Sequence, residues 1–297
     1  MDEKVFYIVD VFAEEQYSGN QLAVFLNGHL YSDDEMQRLA KEMNFSESTF
    51  HFPHESSRGL HRVRIFTPAE ELPFAGHPTL GTAFVIASRL YPAPPAEAVL
   101  ALNAGEIPVK IELDAAGQIG RLTMKQLQPQ FGPTLDPEPV ARMLGLPPDA
   151  LDARYPAEDV STGVHCLIVP LVSRAALEAI RVAPDLVAEA LAPFSAKTVL
   201  AFCRETYEQG HDLNARVFAP LVGVAEDPAT GSAGGCLTAY LLRHRYFGGD
   251  SLDIRLEQGY QMGRKSLLYL AGSVSDGGFE IYVGGRVQPV AECRIEP

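Results

Sequence analysis

No window of this 297-residue chain approaches the roughly 18 to 20 consecutive apolar residues of a membrane-spanning helix, so no such span is expected. Positive charge is scarce. Lys and Arg number 24 against 38 Asp and Glu, a net charge of −14, and no long Lys/Arg run offsets it. Nucleic acid and anionic membrane need basic footprints, so neither is expected as a partner. A small anionic metabolite still fits, because the local field of a site differs from the net charge. Cysteine is sparse too. Cys166, Cys203, Cys236 and Cys293 are far apart, with no Cys-x-x-Cys and no metal-ligand spacing, so buried reduced thiols and no metal are expected. His165 and Cys166 are adjacent, but a nucleophilic Cys and its His meet in space rather than in sequence. The opening MDEKVFYIVDVF is acidic and strand-like, without the basic start and apolar run of a signal peptide, so a cytoplasmic protein is expected.

What is present is a duplication. A hydrophobic share of 46% and a mean hydropathy near zero fit a soluble globular protein with a substantial core, as one large domain or two of about 150 residues. The stretch RIFTPAEELPFAGHPTLGTAFVI, from Arg64 to Ile86, returns in altered form as RVFAPLVGVAEDPATGSAGGCLTAYLL, from Arg216 to Leu242. Gly76-His77 matches Gly231-Ser232, and the second copy is three residues longer between its Arg and its Gly.

The surrounding pattern repeats in the same order. Val5 to Phe12 and Gln21 to Leu26 read as strands. Ser32 with Glu35 forms a capping-box pattern for a helix to about Glu42. Asn44 to Thr49 leads into a strand, Val63 to Phe66 is the next, and Thr79 to Leu90 is apolar all round, the mark of a buried helix. Strands follow near 98–102, 106–113 and 119–124. In the second half Gly163 to Val169 echoes Gly19 to Phe25, Ser173 opens a helix, Phe194 to Thr198 echoes Phe45 to Thr49 and sets Ala196 opposite Glu47, and Leu256-Glu257-Gln258-Gly259 echoes Leu102 to Gly105. The expected fold is therefore α+β, with two pseudo-symmetric halves, each a curved sheet wrapped around a central buried helix. The halves are 1–128 and 129–297, joined near Gln126 to Pro139, and the last strand is a candidate to pack into the first half.

Such halves leave a cleft, a common place for a ligand. The helices that start at Gly76-His77 and Gly231-Ser232 offer free N–H groups and partial positive charge, suited to a carboxylate or an enolate. Glu47 is the candidate base, with His77 and Asp227 as further titratable groups; the insertion of the second copy is expected to carry Glu226-Asp227. His77, at a helix start, is expected to be neutral and to donate one hydrogen bond to substrate or to Asp227. Taken alone, the glycines fit tight turns and helix packing equally well, and Glu47 fits a solvated carboxylate.

Asn44-Phe45-Ser46-Glu47-Ser48-Thr49-Phe50, Arg64 to Gly81, Glu226 to Ala233, Leu256 to Gly259 and Gly263-Arg264 together resemble the phenazine-biosynthesis PhzF-like family, whose best-known member is trans-2,3-dihydro-3-hydroxyanthranilate isomerase. The resemblance runs from the first strand almost to the end. It implies the diaminopimelate epimerase fold, a cofactor-free isomerase and a homodimer. It also implies Glu47 as proton-shuttling acid/base, His77 and Asp227 as groups that position and polarise substrate, and Asn20, Gly76, Gly231 and Ser232 as pocket lining. Epimerases of this fold use a cysteine before each Gly turn. Ala75 and Thr230 stand there in this chain, which disfavours the alternative of an amino-acid racemase or epimerase. A metabolite-binding protein without turnover is the reading outside enzymes.

Overall fold

The computed structural model describes residues 4–57, 59–73 and 76–296. By internal contacts the chain divides into two units, Met1–Lys125 with Gly284–Pro297, and Gln126–Val283. The division after Lys125 lies three residues before the expected one, and Gly284–Pro297, which the sequence reading assigned to 129–297, belongs to the first unit.

Unit 1 begins with β1 (Val5–Val11), β2 (Asn20–Phe25), helix α1 (Asp33–Met43), β3 (Glu47–Ser57) and β4 (Leu60–Phe66). It continues with β5 (Glu71–Leu72), α2 (Gly76–Arg89), β6 (Glu97–Leu102), β7 (Gly105–Leu113) and β8 (Ile119–Lys125). The capping box at α1 is formed: Ser32 Oγ accepts from Glu35 N, and Glu35 reaches back to the Ser32 backbone. Every residue of α2 from Gly76 to Ala87 is buried, and the helix packs on β1, β2, β3, β6, β7 and β8. Each fully buried Leu, Val, Ile or Phe contributes about 1.5–3 kcal/mol relative to exposure, so one polar substitution in this stretch removes a large share of the unit's stability. A separate aromatic cluster seats α1, with Phe25 stacked on Phe50 at 4.6 Å and on Phe6 at 4.8 Å.

Unit 2 holds β9 (Gln130–Leu135), α3 (Pro137–Leu144), β10 (Ala157–Ser161), β11 (His165–Pro170), α4 (Arg174–Ala179) and α5 (Pro184–Leu191). There follow β12 (Thr198–Cys203), β13 (Leu213–Ala219), β14 (Val224–Asp227), α6 (Gly231–Arg243), β15 (Ser251–Gln258) and β16 (Ser266–Ser275). The last strand, β17 (Gly278–Arg294), returns the chain to unit 1, where it pairs antiparallel with β1. Like α2, α6 is buried along its length, packed on β10, β11, β12, β15 and β16.

The strand pairings show how far the units repeat each other. In unit 1 β2 runs parallel to β3, β3 antiparallel to β4, β4 antiparallel to β5 and parallel to β6, and β6 antiparallel to β7. Unit 2 has the same series in β11, β12, β13, β14, β15 and β16. Register corrects two details of the sequence reading. Ser48 faces Phe66, and Val199 faces Phe218, the repeat of Phe66. The counterpart of Glu47 is therefore Thr198 and not Ala196. Leu72 faces Ile65 as Asp227 faces Val217, and Arg64 holds Glu71 through two hydrogen bonds as Arg216 holds Glu226. Glu226 thus repeats Glu71, and the three extra residues lie before it, around the single-turn helix Pro220–Val222.

Candidate active site

In unit 1 three elements bring three polar side chains together. Asn20 is the first residue of β2. Before it, Gly19 turns the chain at φ +64°, and a Cβ there would lie 2.3 Å from Val11 O, so the turn that delivers Asn20 requires glycine. Glu47 is the first residue of β3, beside Leu22 in the parallel pair. His77 sits in the first turn of α2. Asn20 Nδ2 lies 3.3 Å from His77 Nδ1, and His77 Nε2 lies 3.3 Å from Glu47 Oε2. The His77 side chain is 5% exposed and that of Glu47 16%. Burial pushes the His77 imidazole down to about 3, with a hydrogen bond to the Gln21 backbone pulling the other way. His77 is therefore neutral at physiological pH. The larger cause is desolvation, rather than the helix start invoked from the sequence, and its neighbours in unit 1 are Glu47 and Asn20.

In unit 2 the equivalent turn is built differently. Thr230 is the N-cap of α6, its hydroxyl donates to Asp227 Oδ2, and its N–H donates to Gln258 Oε1 at 3.2 Å. Gln258 Nε2 donates to Asp227 O at 2.8 Å. The buried Asp227 carboxylate is thus fixed just ahead of Gly231 and Ser232. Gly259 follows at φ +78°, where a Cβ would lie 2.6 Å from Pro228 O. The neighbouring Glu257, which the sequence reading left without a role, is fully buried and accepts from Tyr207 N, Glu208 N and His211 Nδ1 at 2.7–2.8 Å. It organises the loop ahead of β13.

Thr230 offers a hydroxyl where a two-cysteine racemase needs a thiol; Ala75 lies outside the described residues. Burial raises the thiols of Cys166, Cys203 and Cys236, so none is set up as a thiolate nucleophile. Among the described residues no group of three or more His, Cys, Asp or Glu is placed to hold a metal ion, and no helix is long and apolar enough to cross a membrane.

Residues 9–292 match the family model of the phenazine biosynthesis-like proteins, PhzC-PhzF. The chain belongs to the PhzC-PhzF family. It is 37% identical over 270 residues to trans-2,3-dihydro-3-hydroxyanthranilate isomerase of Pseudomonas aeruginosa, covering 89% of this chain and 88% of that protein. It is 29% identical to an uncharacterised isomerase of Mesorhizobium japonicum, over 99% of each chain. Among solved structures, a PhzF-family phenazine biosynthesis protein of Bacillus anthracis superposes with a TM-score of 0.91 at 25% identity over the whole of both chains. A probable proline racemase from Agrobacterium radiobacter superposes with a TM-score of 0.64 at 11% identity, covering 99% of this chain and 93% of that one. The α+β fold is thus that of the diaminopimelate epimerase and proline racemase group. This PhzC-PhzF protein is an isomerase.

Proposed function

We propose that this isomerase moves a proton within a small carboxylate-bearing substrate of the trans-2,3-dihydro-3-hydroxyanthranilate kind, using its own side chains and no cofactor. The observation that carries the reading is the Glu47 carboxylate beside a neutral, buried imidazole held by Asn20. The 37% identity to an enzyme of that name supports the substrate class.

In the proposed cycle the Glu47 carboxylate takes a proton from an sp³ carbon of the substrate. The electron pair left behind delocalises through the conjugated system toward the substrate carboxylate, and Glu47 returns the proton at a conjugated carbon, so the reaction is balanced without oxidant or reductant. A neutral imidazole suits both halves of this cycle. With Nδ1 accepting from Asn20 Nδ2, Nε2–H donates to ionised Glu47, and the same Nε2–H donates to the carbonyl oxygen when Glu47 is protonated. A positively charged His77 would instead hold Glu47 ionised and oppose proton uptake. Backbone amides at the starts of α2 and α6, at Gly76, Gly231 and Ser232, are proposed to bind the carboxylate and the developing negative charge. Asp227, fixed by Thr230, is proposed to position a polar group of the substrate. Thr198, the repeat counterpart of Glu47, does not serve as a base at neutral pH, which leaves Glu47 as the acid/base.

The reading is tested by incubating the enzyme with trans-2,3-dihydro-3-hydroxyanthranilate in heavy water and following the product by NMR and mass. Isomerisation of that compound supports the reading; no conversion at high enzyme concentration rejects this substrate class.

A further inference from the structure

One buried amide of unit 2 has no use in the account so far. Gln126 is the first residue of that unit and is 6% exposed. Its backbone is fixed, with N–H donating to Ile281 O at 2.9 Å. Neither Oε1 nor Nε2 of its side chain has a hydrogen-bond partner among the described residues. A buried primary amide unpaired at both ends is costly and uncommon in a folded protein.

Its position relates it to the start of α6. A Cβ on Gly235 would lie 2.9 Å from Gln126 Oε1 and 2.8 Å from Thr162 Oγ1, so the missing side chain is what admits both groups against the helix. Gly235 lies one turn beyond Gly231 on the same helix face, and a Cα–Cβ bond on a helix leans toward its N-terminus. The amide and the hydroxyl therefore occupy the face that runs from Gly235 back toward Gly231. The loop carrying Thr162 is anchored there, with Cys236 Sγ 3.7 Å from Thr162 Oγ1 and 3.3 Å from Val164 O.

We propose that Gln126, with Thr162, recognises substrate, hydrogen bonding to a hydroxyl or amine substituent. The inference rests on the reading above that Gly231 and Ser232 bind substrate. An amide both donates and accepts, as does a hydroxyl, and neither carries charge. Burial is the main cause that raises the Cys166 and Cys236 thiols, and the Asp159 carboxylate nearby adds to it; that negative charge favours a donor group over a carboxylate. The carboxylate of the substrate is then left to the helix-start amides.

Two measurements on Gln126→Met and Gln126→Leu test this. In thermal unfolding without ligand, both variants are expected to melt at or above the wild-type temperature, because the replaced amide has no protein partner to lose. A fall of more than about 3 °C in both would make the amide a structural element and overturn the proposal. In steady-state kinetics on trans-2,3-dihydro-3-hydroxyanthranilate, KM is expected to rise about tenfold with kcat within about threefold, the pattern of a lost binding contact. Unchanged KM in both variants also overturns it. If wild type does not turn over this compound, the substrate reading fails, and the melting temperatures alone decide whether the Gln126 amide is structural.

Discussion

His77 Nε2 and Glu47 Oε2 lie 3.3 Å apart at the starts of α2 and β3, and the imidazole is kept neutral by burial. The pair couples the sheet of unit 1 to its central helix through the two groups on which the proposed chemistry depends. The same unit stores two more buried imidazoles. His51 Nε2 lies 3.3 Å from His61 Nδ1, and His61 Nε2 lies 2.9 Å from the Tyr91 hydroxyl.

These histidines predict acid lability. Burial lowers His51 to about 4 and also lowers His61, while His77 is lowered to about 3. At His51 and His77 the unfolded chain takes up protons near pH 6.5 and the folded one only near pH 3 to 4. Stability is therefore full above about pH 6.5 and falls as pH drops toward 4, by on the order of 3 kcal/mol for His51 alone. Urea unfolding at pH 7.5, 6, 5 and 4.5 checks the slope, and His51→Gln should flatten it. A pH-independent midpoint over that range would show that these rings are charged or exposed in the folded state.

The repeat makes a packing prediction. Gly81 lies on α2 where a Cβ would meet Leu22 Cδ2 at 2.6 Å and Val11 Cγ2 at 2.8 Å. Gly81→Ala should lower stability by about 1–3 kcal/mol through overpacking, and Leu22→Ala in the same chain should relieve part of that loss. Additive losses in the double variant would show that the two sites do not touch. In unit 2 the repeat positions carry Cys236 and Cys166, and each thiol side chain is far smaller than leucine. The two units fill one space with different pairs.

The Arg216–Glu226 pair is nearly buried, with side chains 9% and 17% exposed, and Arg216 also donates to Leu177 O at 3.0 Å. Removing one charge strands the other, so Arg216→Met should cost about 3–5 kcal/mol, and Arg216→Met with Glu226→Leu should cost clearly less. Chemical denaturation of the three variants gives the comparison. A double variant as unstable as the single one would mean that the carboxylate is not what destabilises it.

Much of the fold was legible because duplicated residues keep the same physical task. Arg64 and Arg216 each need a carboxylate, Gly76 and Gly231 each open a buried helix, and Ser32 and Ser173 each cap a helix at the surface. Errors arose where sequence likeness and backbone register part. The Phe194-Ser195 echo of Phe45-Ser46 placed Ala196 opposite Glu47, whereas strand pairing there puts Thr198. Glu226-Asp227 looked like inserted material because the real insertion, near Pro220–Val222, carries no distinctive residue. The membership of Gly284–Pro297 in unit 1, for which the sequence made the last strand a candidate, rests on pairing with β1 across almost the whole chain. Gln126 gave no signal at all, since a lone glutamine is ordinary in sequence and unusual only once its burial is known. His51 and His61 meet across adjacent antiparallel strands, where ten residues of separation conceal a contact.

The central claim is that Glu47 carries the proton, and Glu47→Gln tests it most directly. Glutamine keeps the shape and the contact with His77 but accepts no proton from carbon. With trans-2,3-dihydro-3-hydroxyanthranilate verified as a substrate of the wild type, the variant should fold normally and bind the compound. Its kcat should fall by at least about a hundredfold, the lower end of what general acid–base groups contribute. A kcat within tenfold of wild type would contradict the account and move the proton to another base, with Asp227 the next to be tested.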